Sequence, residues 1–211
     1  MLTNTQIKAR ARTTLGGKIF GERWMAGVLI IFIFTVITSA AGVIPFASLL
    51  ISGPLSVGVA GAFLYVMRTG EKAKTEDMFA GFKDFGKNFV LGLLISLFTV
   101  LWSLLFIVPG IIKGLSYSMA YYIKNDHPEY DWKQCIEESK KMTYGHKGQL
   151  FCLYLSFIGW YFLGALCLGI GTLWVTPYVS ASTAEFYIQL RGKDMFEGSH
   201  TATLDEETLS L

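Results

Sequence analysis

Charge is what this sequence has least of. Lys and Arg number 18 and Asp and Glu 16 among 211 residues, 16% in all, where soluble domains carry about a quarter. That is too little to cover a water-facing surface, and the positive mean hydropathy of +0.45 agrees. Proline is scarce at five residues, which excludes collagen-like and Pro-rich disordered chains. The three cysteines, Cys135, Cys152 and Cys167, have no metal-ligand spacing, and their odd number argues against a disulfide framework. His127, His146 and His200 are scattered without a partner three to five residues away, so no zinc site is expected. There is no phosphate loop, GxSxG elbow or HExxH pair. No cofactor, metal or catalytic residue is therefore expected, and the chain does not read as an enzyme.

What is present is long uncharged sequence. Residues 24–67, 88–112, 114–123 and 149–184 contain no Asp, Glu, Lys or Arg, and a membrane-spanning helix needs only about 20 apolar residues. Open sheet edges cannot exist in hydrocarbon, so these stretches predict an all-α, multi-pass membrane protein. With 88–112 and 114–123 joined across Lys113, each is too long for one helix. Ile44-Pro45 and Ser52-Gly53-Pro54 divide the first into helices of 24–44 and 54–68. Val108-Pro109-Gly110 divides 88–123, and Leu168 to Gly171 together with Thr176-Pro177 divides 149–190. The expectation is six transmembrane helices arranged as three hairpins, a pseudo-threefold repeat with amphipathic interfacial helices on the cytoplasmic side.

The loops set orientation. Five basic residues precede the first span, five lie between Arg68 and Lys87, five between Lys124 and Lys147, and Arg191 and Lys193 follow the last. The intervening turns carry none, so both termini and the long connections are placed in the cytoplasm. Acidic residues such as Asp77, Asp84, Glu137 and Glu138 are interleaved with the basic ones, and no dense basic run suggests nucleic acid. A basic leader before an apolar run ending in Ser39, Ala40 and Ala41 is also how a signal peptide reads. Against that, the first span belongs to a repeat. Entries run Gly17-Lys18-Ile19-Phe20, Gly86-Lys87-Asn88-Phe89 and Gly145-His146-Lys147-Gly148, and exits run Pro54 to Arg68, Pro109 to Lys124 and Pro177 to Arg191. The units are residues 3–70, 71–126 and 127–192, one membrane domain of 1–192. Residues 193–211, polar and without apolar period, are expected to form a disordered cytoplasmic tail.

Within each unit the first helix is bulky and the second carries small and polar residues. Gly58 and Ala62, then Gly110, Gly114 and Ser118, then Ser180 and Ala184 recur at four-residue spacing, which lets backbones approach. The second helices are expected at the centre, with the first facing lipid. Tyr117, Tyr121, Tyr122, Tyr178, Ser182, Thr183, Tyr187 and Glu185 would then form a polar pocket or pathway. The same pattern also suits plain packing, with hydroxyls bonded to helix carbonyls. Glu185 lies inside an apolar stretch, where a carboxylate marks a pathway, a relay or a paired site. Lys113 falls near the outer end of its helix and reads as an interface anchor by snorkelling. Glu76 to Phe89 and Asp131 to Gly148 read as surface helices along the headgroups. The Glu137-Glu138 pair is similar to that of intramembrane CAAX-type proteases, but Met142 stands where those carry Arg, and their membrane histidines are missing.

A set of short motifs adds a resemblance. Val108-Pro109-Gly110-Ile111-Ile112, Ser139 with Met142 and Gly145-His146-Lys147, and Phe157-Ile158-Gly159-Trp160 are followed by Gly169-Ile170-Gly171 with Leu173-Trp174, Pro177-Tyr178, and Ala184 with Phe186-Tyr187. In this order the chain resembles the bacterial integral membrane proteins grouped as domain of unknown function 975. Those are distantly similar to membrane domains fused to some glycerophosphoryl diester phosphodiesterases. The resemblance covers about residues 5–192. It implies a six-helix protein of the bacterial plasma membrane and brings no activity. Two functions are open: binding or transport of a small amphipathic molecule, lipid or peptide through the polar second helices, or a non-catalytic scaffold docking a partner protein. Membrane lipid is the expected surrounding partner in both, and the oligomeric state is not read from the sequence.

Overall fold

The computed structural model describes residues 2–16, 21–42, 47–166 and 170–209, and all regular structure among them is helical. The α-helices are α1 (Asn4–Thr14), α2 (Glu22–Gly42), α3 (Ala47–Thr69), α4 (Phe85–Leu105), α5 (Ile107–Tyr117), α6 (Ala120–Asp126), α7 (Trp132–Thr143), α8 (Lys147–Leu166) and α9 (Ile170–Leu209). A 3-10 helix at Thr75–Phe82 precedes α4. The breaks expected at Ile44-Pro45 and at Leu168-Gly169, and the entry Gly17 to Phe20, lie outside the described residues.

Four helices among the described residues are long and apolar enough to cross a membrane: Glu22–Ala40, Ser48–Thr69, Phe85–Leu104 and Lys147–Leu166. The sequence predicts six. The return helix of the second unit is split at Ser118 and Met119 into α5 and α6, each too short to span alone. In the third unit, Thr172, Thr176, Ser180, Ser182 and Thr183 dilute the apolar character of α9.

Proline is where the expected boundaries fail most clearly. Pro54 does not start a helix; it sits inside α3, which begins at Ala47. Pro177 likewise lies within α9. Neighbouring helices can tolerate the missing hydrogen bond in such segments. Near Pro109 a break does occur, but at Phe106, whose backbone is extended (φ −157°, ψ 138°). Pro109 then occupies the first turn of α5, where its missing N–H has no helical acceptor to lose.

Burial sets α3 apart from the first helices, whereas the second helix α5, expected at the centre, keeps Val108, Ile111 and Ile112 exposed. In the most apolar window of α3, 56% is buried, against 28% in α2 and 22% in each of α4 and α8. Leu97, Leu101 and Leu104 on α4 and Leu155, Phe162 and Leu166 on α8 are exposed, which gives these first helices apolar outer faces. Central α3 touches α6 and α9. Asn125 ties α3 to α6, its amide donating to the Val57 and Tyr121 carbonyls at 2.8 Å each, in space left by the absent side chain of Gly61. Gly164 and Gly171 bring α8 and α9 together: a Cβ on either would lie under 3 Å from the other's backbone.

The segments expected along the membrane surface each pack one face against the bundle. The 3-10 helix lies against α3 with Met78 fully buried, while Phe79, Phe82, Phe85 and Phe89 form a row with ring centroids 6.0–6.2 Å apart. Helix α7 is amphipathic and starts in a capping box of Asp131 and Gln134. Its apolar face, Cys135, Ile136 and Met142, is buried, and the Ser139 hydroxyl donates to the Ser116 carbonyl at 2.7 Å. With Met142 inside, only Trp132 at its start remains as a large exposed apolar side chain of this helix. Burial pushes the Cys135 thiol up to about 11. We expect Cys135 in the folded protein to resist maleimide at pH 7.5 and to react fully after denaturation, read as mass added to its peptide. Rapid labelling in the folded state would contradict its placement.

Helix α1 begins in a capping box of Thr3 and Gln6 and buries Ile7 and Ala11 completely; Leu15, which caps its end, is buried as fully. Its start is fastened by three bonds: Leu2 N–H to Gln189 Oε1 at 3.1 Å, Gln149 Nε2 to the Leu2 carbonyl at 2.8 Å, and Asn4 Nδ2 to the Gln149 carbonyl at 3.0 Å. At the other end of the chain, the backbone of α9 continues as helix to Leu209, past Lys193, where composition predicts a disordered tail.

Candidate central cavity and charged node

A cavity of about 510 Å³ lies among α2, α3, α8, α9 and the α5–α6 junction. Thr35 comes from α2, Ser56 and Ala60 from α3, Ser118, Tyr121 and Tyr122 from the junction, Tyr154 and Tyr161 from α8, and Thr176, Ser180 and Thr183 from α9. Ile31, Phe34, Val59, Leu173 and Val179 complete an apolar ground. Several hydroxyls are satisfied locally: Thr35 donates to Ile31, Ser118 to Leu115, Thr176 to Thr172 and Thr183 to Val179, at 2.8–2.9 Å. Helical Ser and Thr often bond in this way, and their lone pairs remain able to accept. The wall is thus an apolar surface studded with hydroxyls and free of charged side chains.

Three of the eight residues expected to form a polar pocket meet here, Tyr121, Tyr122 and Thr183, together with Ser118 and Ser180, whose spacing predicts packing residues. The others face elsewhere. Ser182 is fully buried and bonded to the Tyr178 carbonyl at 2.8 Å. Tyr117 packs on Phe98, with the Lys140 ammonium 5.6 Å from its ring centre. Tyr178 donates to the Lys8 carbonyl at 3.1 Å. Glu185, 4% exposed, accepts from Arg10 at 3.0 Å and from Gln189 Nε2 at 3.1 Å, so it joins α1 to α9 as a paired site. Lys113 stands over the Trp102 ring at 4.8 Å, beside the end of α4.

The small residues do bring backbones close, though their partners differ from the expected ones. Gly58 faces the Met78 carbonyl of the 3-10 helix, and Gly110 and Gly114 face Ser103 and Thr99 of the preceding helix in their own hairpin. Ala62 and Ala184 are buried in the core.

Beside the bundle centre lies a group that sequence reasoning missed. Asp126, at the end of α6, has a side chain only 6% exposed. Arg68, at the end of α3, grips it with two nitrogens at 2.7 Å each, Tyr187 donates to it at 2.7 Å, and Arg191 of α9 pairs with the same carboxylate. The ends of three return helices thus converge on one anion. Tyr187 also stacks on Tyr122 at 5.4 Å, which links the node to the cavity wall. Lys124, the basic residue closing the second unit, instead donates to the Pro128 and Tyr130 carbonyls at 2.7 Å and holds the loop before α7. The signal available was charge balance: Asp126 stands where the second unit ends, and the first and third end in Arg68 and Arg191.

Among the described residues, no three of His, Cys, Asp and Glu gather in a way that could hold a metal ion. What the fold and cavity define is an all-helical protein with several helices apolar enough for a membrane, around an open, hydroxyl-studded cavity. The chain belongs to the family described as Protein of unknown function (DUF975), whose model matches residues 1–113 and 107–194. No curated protein and no solved structure matches it.

Proposed function

We propose that this protein is a six-span protein of the bacterial plasma membrane with both termini cytoplasmic, and that it binds a small amphipathic molecule, lipid or peptide, in its central cavity. The fifth and sixth spans are the split helix α5–α6, paired with α4, and the first half of α9, paired with α8; both pairs pack together. Neighbours can satisfy a helix break inside a membrane, so the kink at Ser118 is compatible with crossing. The charge map supports the orientation.

The observation that carries the binding reading is the cavity itself. Its volume of about 510 Å³ falls within the range of small-molecule sites, roughly 300–1,000 Å³. Hydroxyls on an apolar wall suit a ligand with few polar groups and a greasy body. The cavity is open to its surroundings, so an amphipathic molecule can enter it without unpacking the bundle. Transport would be a further step from the same site.

Ser180 lines the cavity and is half-buried, so Ser180→Leu should occupy the space with little disturbance outside it. Native mass spectrometry of the gently solubilised protein is expected to show a bound small molecule or lipid at defined stoichiometry, and Ser180→Leu is expected to remove at least about nine-tenths of it, a penalty of ~1.4 kcal/mol or more. Melting temperature should change little. The same adduct on both proteins would sink the reading.

A further inference from the structure

Lys8 and Arg12 stand four residues apart on α1 and so leave the helix on the same side. The neighbouring stripe, Ile7, Ala11 and Leu15, is buried in the bundle, which fixes where the two cations turn. They line a second cavity, of about 210 Å³, with Trp24 of α2, Trp160 of α8, and Trp174 and Tyr178 of α9. Three of the five tryptophans of the chain meet at this one place. No carboxylate lines it, and Glu185 of α9 is already engaged by Arg10.

The donors here are in surplus. Trp24 is only 5% exposed, and its indole N–H has no acceptor among the described residues. A buried donor left unpaired is costly and calls for an explanation. Arg12 is exposed and forms no ion pair among the described residues. The Lys8 ammonium donates to the Ser156 hydroxyl at 3.3 Å and stands 5.0 Å from the centre of the Phe157 ring, with no carboxylate partner among the described residues. An indole, a guanidinium and an ammonium around one small space make a site for an anion with several oxygens.

Its surroundings argue for an anion on a lipid. Trp24 lies at the cytoplasmic start of α2, where basic side chains such as Lys8 and Arg12 attract anionic headgroups. Trp160 of α8 extends the site into the apolar layer. Along one face of α8, Ser156 holds Lys8, Trp160 forms the cavity rim at 53% exposure, and Leu163 follows at 60% exposure. The space is too small for a whole lipid but opens beside a greasy track. We propose that this cavity seats the phosphate of a membrane lipid headgroup, held by Lys8, Arg12 and the Trp24 indole, with acyl chains laid along Trp160 and Leu163. The proposal rests on insertion in a membrane and is independent of the central cavity.

The test uses the full chain in an uncharged detergent, titrated with dioctanoyl phosphatidic acid, dioctanoylglycerol or inorganic phosphate, and read by native mass spectrometry and melting temperature. Phosphatidic acid is expected to bind and stabilise; dioctanoylglycerol, which differs by the phosphate alone, is not. Lys8→Gln and Arg12→Gln should each weaken binding about fivefold, the order expected for one basic side chain at an anionic membrane surface. Trp24→Phe keeps the ring but loses the N–H and should weaken it as well. Lys141→Gln, on a side chain 76% exposed on α7, should have no effect. Equal binding of dioctanoylglycerol, or equal losses in Lys141→Gln and Arg12→Gln, would overturn the site. Competition by inorganic phosphate at the same concentration would overturn the lipid assignment. Failure of the membrane reading is distinct, since the wild type would then stay soluble without detergent.

Discussion

Asp126→Ala is expected to lower stability by about 2–3 kcal/mol, measured as a loss of melting temperature in detergent. The carboxylate is the one anion on which Arg68, Arg191 and Tyr187 converge. Removing one partner of a fully buried pair costs roughly 3–5 kcal/mol, because the charges left behind are uncompensated. The figure is set lower here because Arg68 and Arg191 keep side-chain exposures of 42% and 31% and can turn to water. Asp126→Asn should cost less, since its carbonyl still accepts from Tyr187. Arg68→Ala should cost less again, since Arg191 still pairs with the carboxylate. The order of the three variants is the diagnostic, and an Asp126→Ala protein melting with the wild type would remove the node from any account of stability.

Gly58→Val is expected to be the most damaging single change in the apolar core, at about 3 kcal/mol or more, with reduced yield of folded protein. An added Cβ would run into the Met78 carbonyl, which is backbone and has no rotamer through which to yield. Either α3 or the 3-10 helix must move, and Met78, fully buried, would move with it. Ala62→Gly, four residues on, removes only one methyl from a tight site and provides the comparison, with a cost near the ~1 kcal/mol helix penalty of glycine. Limited proteolysis at Lys72 and Lys74, just before the 3-10 helix, should accelerate in Gly58→Val and not in Ala62→Gly. If both variants melt together, close approach at Gly58 does not support the fold.

Charge and side-chain size carried the broad architecture. The uncharged stretches of the sequence became α2, α3, α4 and α8, and the bulky first helices α4 and α8 do turn apolar faces outward. Proline misled because its local rule assumes a helix without neighbours. Pro54 and Pro177 lie in helices held by tertiary contacts, whereas the true break at Phe106 carries no Pro or Gly of its own. Amphipathic period identified the buried stripe of α7 but not its partners, because a pattern of exposure cannot distinguish a lipid surface from the neighbouring α4, α5 and α6. The candidate residues fared in the same way. Spacing on α9 brought Ser180 and Thr183 to the cavity wall, yet Tyr161 and Thr35 come from first helices that the repeat assigned to lipid. Asp126 escaped notice because its importance depends on two arginines that are remote in sequence, Arg68 by 58 residues.

The seat of α1 has a kinetic meaning. Its partners Gln149, Glu185 and Gln189 lie far along the chain, with 175 residues separating Arg10 from Glu185. At about 5–20 residues per second, roughly ten to thirty-five seconds of synthesis pass before the ion pair can form. Throughout that interval the stripe of Ile7, Ala11 and Leu15 has no α9 to cover it. Helix α1 is therefore made long before the α9 on which it docks, and its arrival closes the bundle.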